Sequence, residues 1–247
     1  MMSRLLIRGM IAGLLAGLAT LLFALVFGEP GVNGGIAFEE QAAAASGDAP
    51  EMELVSRGVQ STAGLATAVV VYGVAIGGIF ALVYTLAQGR LGRLTPRAMA
   101  AVLALIGFLV VFVVPFVKYP ANPPGSNDGD TISQRTGLYL VLVLASVLVA
   151  LAGIALRQQL TSRLGTWNAT LVGVAVYVAV IGVIEYLMPA IIETPDTFPA
   201  PLLYGFRLAS LGGQLMLWTT LGLTFGALVD RTRACDQWVD ARLPAIS

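Results

Sequence analysis

Six long apolar stretches divide the sequence, and they decide what it can fold into. A helix needs about 20 mostly apolar residues to cross a hydrocarbon core of roughly 30 Å. The stretches at about 5–27, 62–87, 98–117, 136–156, 167–188 and 208–229 all reach that length. A helix satisfies its own backbone in lipid, and the alternating pattern of a membrane barrel strand is absent. The expectation is an all-α, polytopic membrane protein with six transmembrane helices arranged as three hairpins. All 247 residues then form a single membrane domain, with an outer loop at 28–61 and a tail at 230–247. Composition agrees with this reading. Charged residues make up 11% of the chain, whereas a soluble domain carries about a quarter.

The arginines and the one lysine orient the spans. Arg4, Arg8, Arg90, Arg93, Arg97, Arg157, Arg163, Arg231, Arg233 and Arg242 fall on one side of the predicted membrane, and Arg57, Lys118, Arg135 and Arg207 on the other. Cytoplasmic loops carry the excess of basic residues, so both termini are expected in the cytoplasm of a multi-pass cell (inner) membrane protein. The apolar run after Arg8 is long for a signal peptide, and an uncleaved first span is expected. Most acids gather on the opposite side: Glu29, Glu39, Glu40, Asp48, Glu51, Glu53, Asp128, Asp130, Glu193 and Asp196. That face should attract cations, although acids also collect there simply because the inner side is kept basic.

What is missing excludes whole classes of function. The chain has no histidine and a single cysteine, Cys235. Imidazole general bases, His-Cys zinc sites and internal disulfides are therefore ruled out. No phosphate-binding glycine loop or nucleophile elbow is present, so neither ATP hydrolysis nor an enzyme is expected. Zero net charge implies no nucleic-acid partner. No resident cofactor is implied.

The outer ends of the hairpins look alike. The third span reaches Pro115 and then Pro120, the fifth reaches Pro189 and then Pro195, and the first ends less clearly at Glu29-Pro30. Each outer loop then brings an arginine to the mouth of the returning helix: Arg57, Arg135 and Arg207. Such repeats occur in transporters, with the functional site where the repeats meet. The three arginines are read as anchors that pair with loop carboxylates such as Glu39, Glu40, Asp130 or Asp196. Prolines also end helices and arginines mark interfaces without any further role. Small residues four apart, namely Gly9, Gly13 and Gly17, Gly73 and Gly77, and Gly222 and Gly226, predict close helix packing in a compact bundle or a homo-oligomer.

Glu185 is the one acid inside a predicted span. An intramembrane carboxylate is costly and usually faces a cavity or a partner. Pro189 frees a backbone carbonyl about one turn earlier, and the two together suit an oxygen-rich cation site or a proton carrier. The plainer reading leaves Glu185 at the interface beside Tyr186. The candidate cation path or binding set is Glu185, Glu39, Glu40, Asp128, Asp130 and Glu193. In the polar loop 118–130, Asn122, Asn127, Asp128 and Asp130 have hard-cation chemistry, but their spacing does not fit an EF-hand. Gln214, Trp218, Thr219 and Thr220 within the sixth span read as glue between helices.

Several segments, taken in order, resemble the CbtA family, the predicted cobalt transporter subunits of bacteria. They are Arg8-Gly-Met-Ile-Ala-Gly-Leu-Leu-Ala-Gly17, then Phe38-Glu39-Glu40 with its alanine run, then Pro115-Phe-Val-Lys-Tyr-Pro-Ala-Asn-Pro-Pro-Gly125. Asp130 to Arg135, Phe198-Pro-Ala-Pro201, Phe206-Arg-Leu-Ala-Ser210 and Gln214-Leu-Met-Leu-Trp218 follow. The resemblance covers roughly 5–229. It implies a cobalt-uptake membrane component linked to cobalamin supply, with Co2+ as the transported ion. It also implies a small single-span partner, CbtB, carrying a histidine-containing metal motif, which suits a chain without histidine. The metal-selecting residues are unknown from this chain. The rival reading is a structural or assembly protein that scaffolds other membrane subunits.

Overall fold

The computed structural model describes residues 2–46, 56–90, 94–127 and 129–242, with side chains up to residue 231. Every regular element among the described residues is helical. Five runs of helix are long and apolar enough to cross a membrane: Met2–Ser46, Arg57–Ala87, Pro96–Lys118, Gly129–Leu187 and Ala200–Arg231. We call the first three α1, α2 and α3. The fourth run is interrupted at Gly165, whose φ of 75° lies in the left-handed region that a side chain disfavours. Its arms at 132–164 and 166–187 are α4 and α5. The sixth helix, α6, runs Ala200–Arg242.

The two arms of the fourth run lie side by side and antiparallel. The Arg157 side chain bonds Thr170 at 2.8 Å, the backbones of Gly153 and Gly173 meet, and Ser146 meets Tyr177 at 2.7 Å. Those partners converge on Gly165, so the long run is a helical hairpin.

Glycine sets the tightest seam. A Cβ on Gly13 would overlap the carbonyl of Gly73, and one on Gly9 would overlap that of Gly77. The two sets of small residues at spacing four therefore press α1 against α2 backbone to backbone, which larger residues would forbid. α6 packs against α1, where Phe23 covers Gly212, and against α3, where Trp218 covers Gly107 and Ala104 covers Gly222. The buried core lies among these four helices and includes Ala12, Ala16, Phe80, Tyr84, Leu103, Leu221 and Phe225. Phe225 receives the edges or faces of both Phe80 and Tyr84 at ring separations of 5.3 and 5.0 Å. The α4–α5 hairpin stands apart from this core. Along its two arms the buried residues are Leu142, Ser146, Gly153, Ala169, Gly173 and Ile181.

Three sequence expectations change. First, helix α1 does not end at Glu29-Pro30 but continues to Ser46, so much of the expected outer loop 28–61 is helix. The reason lies in Ala24–Gly28, a π-helical turn in which the Glu29 N–H bonds the Ala24 carbonyl. The wider turn gives the proline ring room and lets the helix continue. Second, the arms of α4 and α5 extend past the expected 136–156 and 167–188 to meet at Gly165. Third, the expected tail at 230–247 is helical as far as Arg242.

Candidate functional site

The end of the bundle remote from Met2 holds the three arginines, and two of them pair with carboxylates, though not with the acids named as examples. Arg57 pairs with Glu29 and bonds the Asn33 side-chain oxygen at 3.0 Å. Glu29 and Asn33 sit one turn apart on the continued α1, so the added helix builds the receptor. Arg135 bonds Glu193 at 3.0 Å and the Asn127 oxygen at 2.5 Å, while the Thr131 hydroxyl donates to the other Glu193 oxygen at 2.7 Å. Arg207 donates to the Asn122 oxygen at 2.8 Å and to the Ala121 carbonyl at 3.4 Å. Each guanidinium thus takes an asparagine oxygen. The acids in their described ion pairs are Glu29 and Glu193.

The loop after α3 is folded against the extension of α1. Ser126 is fully buried and donates to the Pro123 carbonyl at 2.6 Å, and the Asn127 amide donates to the same oxygen at 3.2 Å. Gly35 presses on Pro124, Gly125 lies against Glu39, and Phe38 meets Phe198 edge-on with ring centroids 4.8 Å apart. Asn122 and Asn127, singled out as hard-cation ligands, instead hold Arg207 and Arg135. Asp128 lies outside the described residues.

The two prolines of interest act in different ways. Pro189 closes α5. Met188 before it is extended, with ψ of 142°, as the residue before a proline prefers. The Pro189 carbonyl accepts from the Tyr119 phenol at 2.9 Å. Burial pushes that phenol above its usual pKa, so it stays a neutral donor. Pro115 lies inside α3, directly after a π-helical turn at Phe108–Val113. There the Val114 N–H reaches back to the Leu109 carbonyl. The next N–H in that register would serve Val110, but residue 115 is proline and has none. Ser146 of α4 fills the gap. Its hydroxyl is fully buried and donates to the Val110 carbonyl at 2.7 Å. Because that proton is committed, the Tyr177 phenol donates to Ser146. Sequence reasoning missed Ser146, and the only signal was a lone serine in an apolar span.

Glu185 is half-buried on α5, four residues before Pro189. The remaining candidates do not gather around it. Glu39, Glu40 and Asp130 are exposed, and Glu193, with 2% of its side chain exposed, is committed to Arg135 and Thr131. Among the described residues, no three His, Cys, Asp or Glu side chains come together as a metal cage. The arrangement therefore offers one half-buried carboxylate on α5, about two turns along the helix from Tyr177, which is joined to Ser146 and Val110 by hydrogen bonds.

A family model described as Probable cobalt transporter subunit (CbtA) matches residues 2–230. No curated protein and no solved structure matches the chain.

Proposed function

The chain belongs to the CbtA family of probable cobalt transporter subunits, and we propose that it forms the membrane-spanning part of a divalent-cation uptake system carrying Co2+. In this reading the six arms cross the cell (inner) membrane as three hairpins. Both termini lie in the cytoplasm, and the arginine end faces out. The basic residues clustered toward the opposite end support that orientation. The observation that carries the transport reading is the placement of Glu185. It is a half-buried carboxylate on a helix that ends four residues later at Pro189, whose carbonyl takes the Tyr119 phenol just past α3, the helix with a π-helical turn before Pro115. An intramembrane carboxylate next to interrupted helices is how a bundle offers oxygen ligands to a cation.

The exposed acids Glu39, Glu40 and Asp130, with Asp128, would draw cations toward that end, and Glu185 would receive them. Glu193 would serve the fold of the mouth instead. Imidazole ligands or a cluster of thiolates would select cobalt, and a chain with no histidine and one cysteine supplies neither, so we assign selection to a small single-span partner of CbtB type. The sparsely covered α4–α5 hairpin leaves room for such a helix beside Glu185. Cobalamin supply is the purpose this uptake would serve. No catalytic role is assigned.

A scaffold without a pore is favoured by one observation, the absence of a three-acid cluster among the described residues. Uptake of radioactive cobalt separates the two readings. Cells carrying this chain and its single-span partner should take up cobalt severalfold faster than cells carrying the partner alone. Equal uptake would leave only the scaffold.

A further inference from the structure

A cavity of about 170 Å³ opens at the arginine end, between the loop that follows α3 and the loop that joins α5 to α6. Arg135, Arg207, Asn122, Tyr119 and Thr194 supply its polar lining, with Glu193 at its wall. Two guanidinium groups face one carboxylate, so the lining carries a formal charge of +1. Both oxygens of that carboxylate are already taken, one by Arg135 and one by the Thr131 hydroxyl. Arg207 has only neutral partners, the Asn122 side chain and the Ala121 carbonyl, and no ion pair among the described residues.

A guanidinium presents five N–H donors, and the two bonds of Arg207 leave the rest of its fork uncommitted. Such a cavity repels a bare cation, so it is not a waypoint for the transported ion. It is large against the ~30 Å³ share of one liquid water and small against the ~300 Å³ at which drug-sized pockets begin. We propose that it binds a phosphate group, held between Arg135 and Arg207 with Asn122 and Thr194 at its side. Planar forks that reach an anion in pairs suit a phosphate better than they suit chloride.

The surroundings indicate where that phosphate comes from. Ile191 and Ile192 line the same cavity, and Ile192 is 92% exposed. Leu187 and Tyr186 on the adjoining end of α5 are 74% and 87% exposed. Apolar side chains standing free beside a cationic cavity match a phospholipid, whose head enters the cavity while its chains lie along α5. Free inorganic phosphate shares the head chemistry but makes no use of the apolar rim.

The test uses the full chain purified in a non-ionic detergent. One arm measures inorganic phosphate by titration calorimetry, with chloride as the control. The other counts phosphatidylglycerol and phosphatidylcholine retained in native mass spectrometry. Wild type should retain phospholipid or bind phosphate, and Arg207→Gln should weaken that binding about tenfold or more, the loss expected for charge-assisted hydrogen bonds. Because Arg207→Gln also removes an anchor of the loop, Thr194→Phe provides a second variant. It fills the cavity while keeping both arginines, and it should abolish binding with an unchanged melting temperature. Retention of lipid alone identifies the headgroup as the source, and binding of free phosphate identifies a solute. Absence of both in wild type, or undiminished binding by folded Thr194→Phe, overturns the proposal.

Discussion

The Ser146 hydroxyl of α4 donates to the Val110 carbonyl of α3 at 2.7 Å, supplying the hydrogen bond that Pro115 cannot. Without it a buried backbone acceptor would stand empty in an apolar bundle, at a cost of about 1–3 kcal/mol. Ser146→Ala should therefore lower stability by about that amount, read as a lower melting temperature of the detergent-solubilised protein. Pro115→Ala restores an N–H within α3 and should largely cancel the loss when combined with Ser146→Ala. Additive losses in the double variant would show that Ser146 does something other than satisfy Val110.

The seam between α1 and α2 makes a sharper contrast. Gly13→Ala places a methyl group against the Gly73 backbone, which cannot move aside as a flexible side chain would. The helices must then separate, and the protein recovered from the membrane should fall several-fold. Gly182→Ala is the matched control, because nothing lies within 4 Å of the added methyl group and alanine favours helix by about 1 kcal/mol. Equal recovery of the two variants would mean that this seam does not hold the bundle together.

The three anchoring arginines should not be equivalent. Arg135→Ala strands Glu193, a carboxylate with only 2% of its side chain exposed, and should cost about 2 kcal/mol or more. Arg207→Ala removes only neutral partners, and Arg57→Ala leaves Glu29 at 15% exposure, so each should cost nearer about 1 kcal/mol. Arg135→Lys should recover part of the loss, since lysine keeps the charge but not the fork. Chemical denaturation of all four variants gives the order. Three equal losses would favour a pseudo-threefold repeat of identical anchors.

What the sequence made legible follows from strong, redundant signals. The apolar runs were long enough to mark an all-helical chain with long apolar helices, and the glycines at spacing four marked faces for close packing without naming which helices meet. The partners of the arginines were not legible, because they depend on where α1 ends. Pro30 reads as a stop if the helix keeps its ordinary register. One π-helical turn at Ala24–Gly28 removes the clash and carries Glu29 and Asn33 onto a helix face opposite Arg57. Ser146 was hidden for a related reason. Its role exists only because α3 shifts register at Phe108–Val113 and then meets a proline, and neither event is visible from α4.

The orientation has a direct test. A reporter active only in the cytoplasm should work when fused after Arg163 or Ser247, and stay silent when fused after Asp48, Asn127 or Asp196. The ten-to-four division of basic residues between the two sides is the reason. A cytoplasmic signal after Asp48 would mean that the first hairpin, or the whole bundle, is inverted.

Glu185 separates a transporter from a scaffold. Glu185→Gln keeps the shape and hydrogen-bonding capacity of the side chain and removes its charge. The amide is cheaper to hold in a low-dielectric bundle, so membrane levels of the protein should stay near those of wild type. Cobalt uptake should fall about tenfold or more, because a cation leaving water needs a fixed negative charge to offset its lost hydration. Glu185→Asp keeps the charge but withdraws it by one methylene, and an intermediate rate is expected. Lys118, the basic residue that ends α3, gives the complementary test. Lys118→Gln removes a positive charge from the end of the bundle where cations enter and should raise uptake at low cobalt while leaving the maximal rate unchanged. Normal uptake by Glu185→Gln at matched expression would sink the route past α5. It would leave the exposed acids Glu39, Glu40 and Asp130 to act only by gathering ions at the surface.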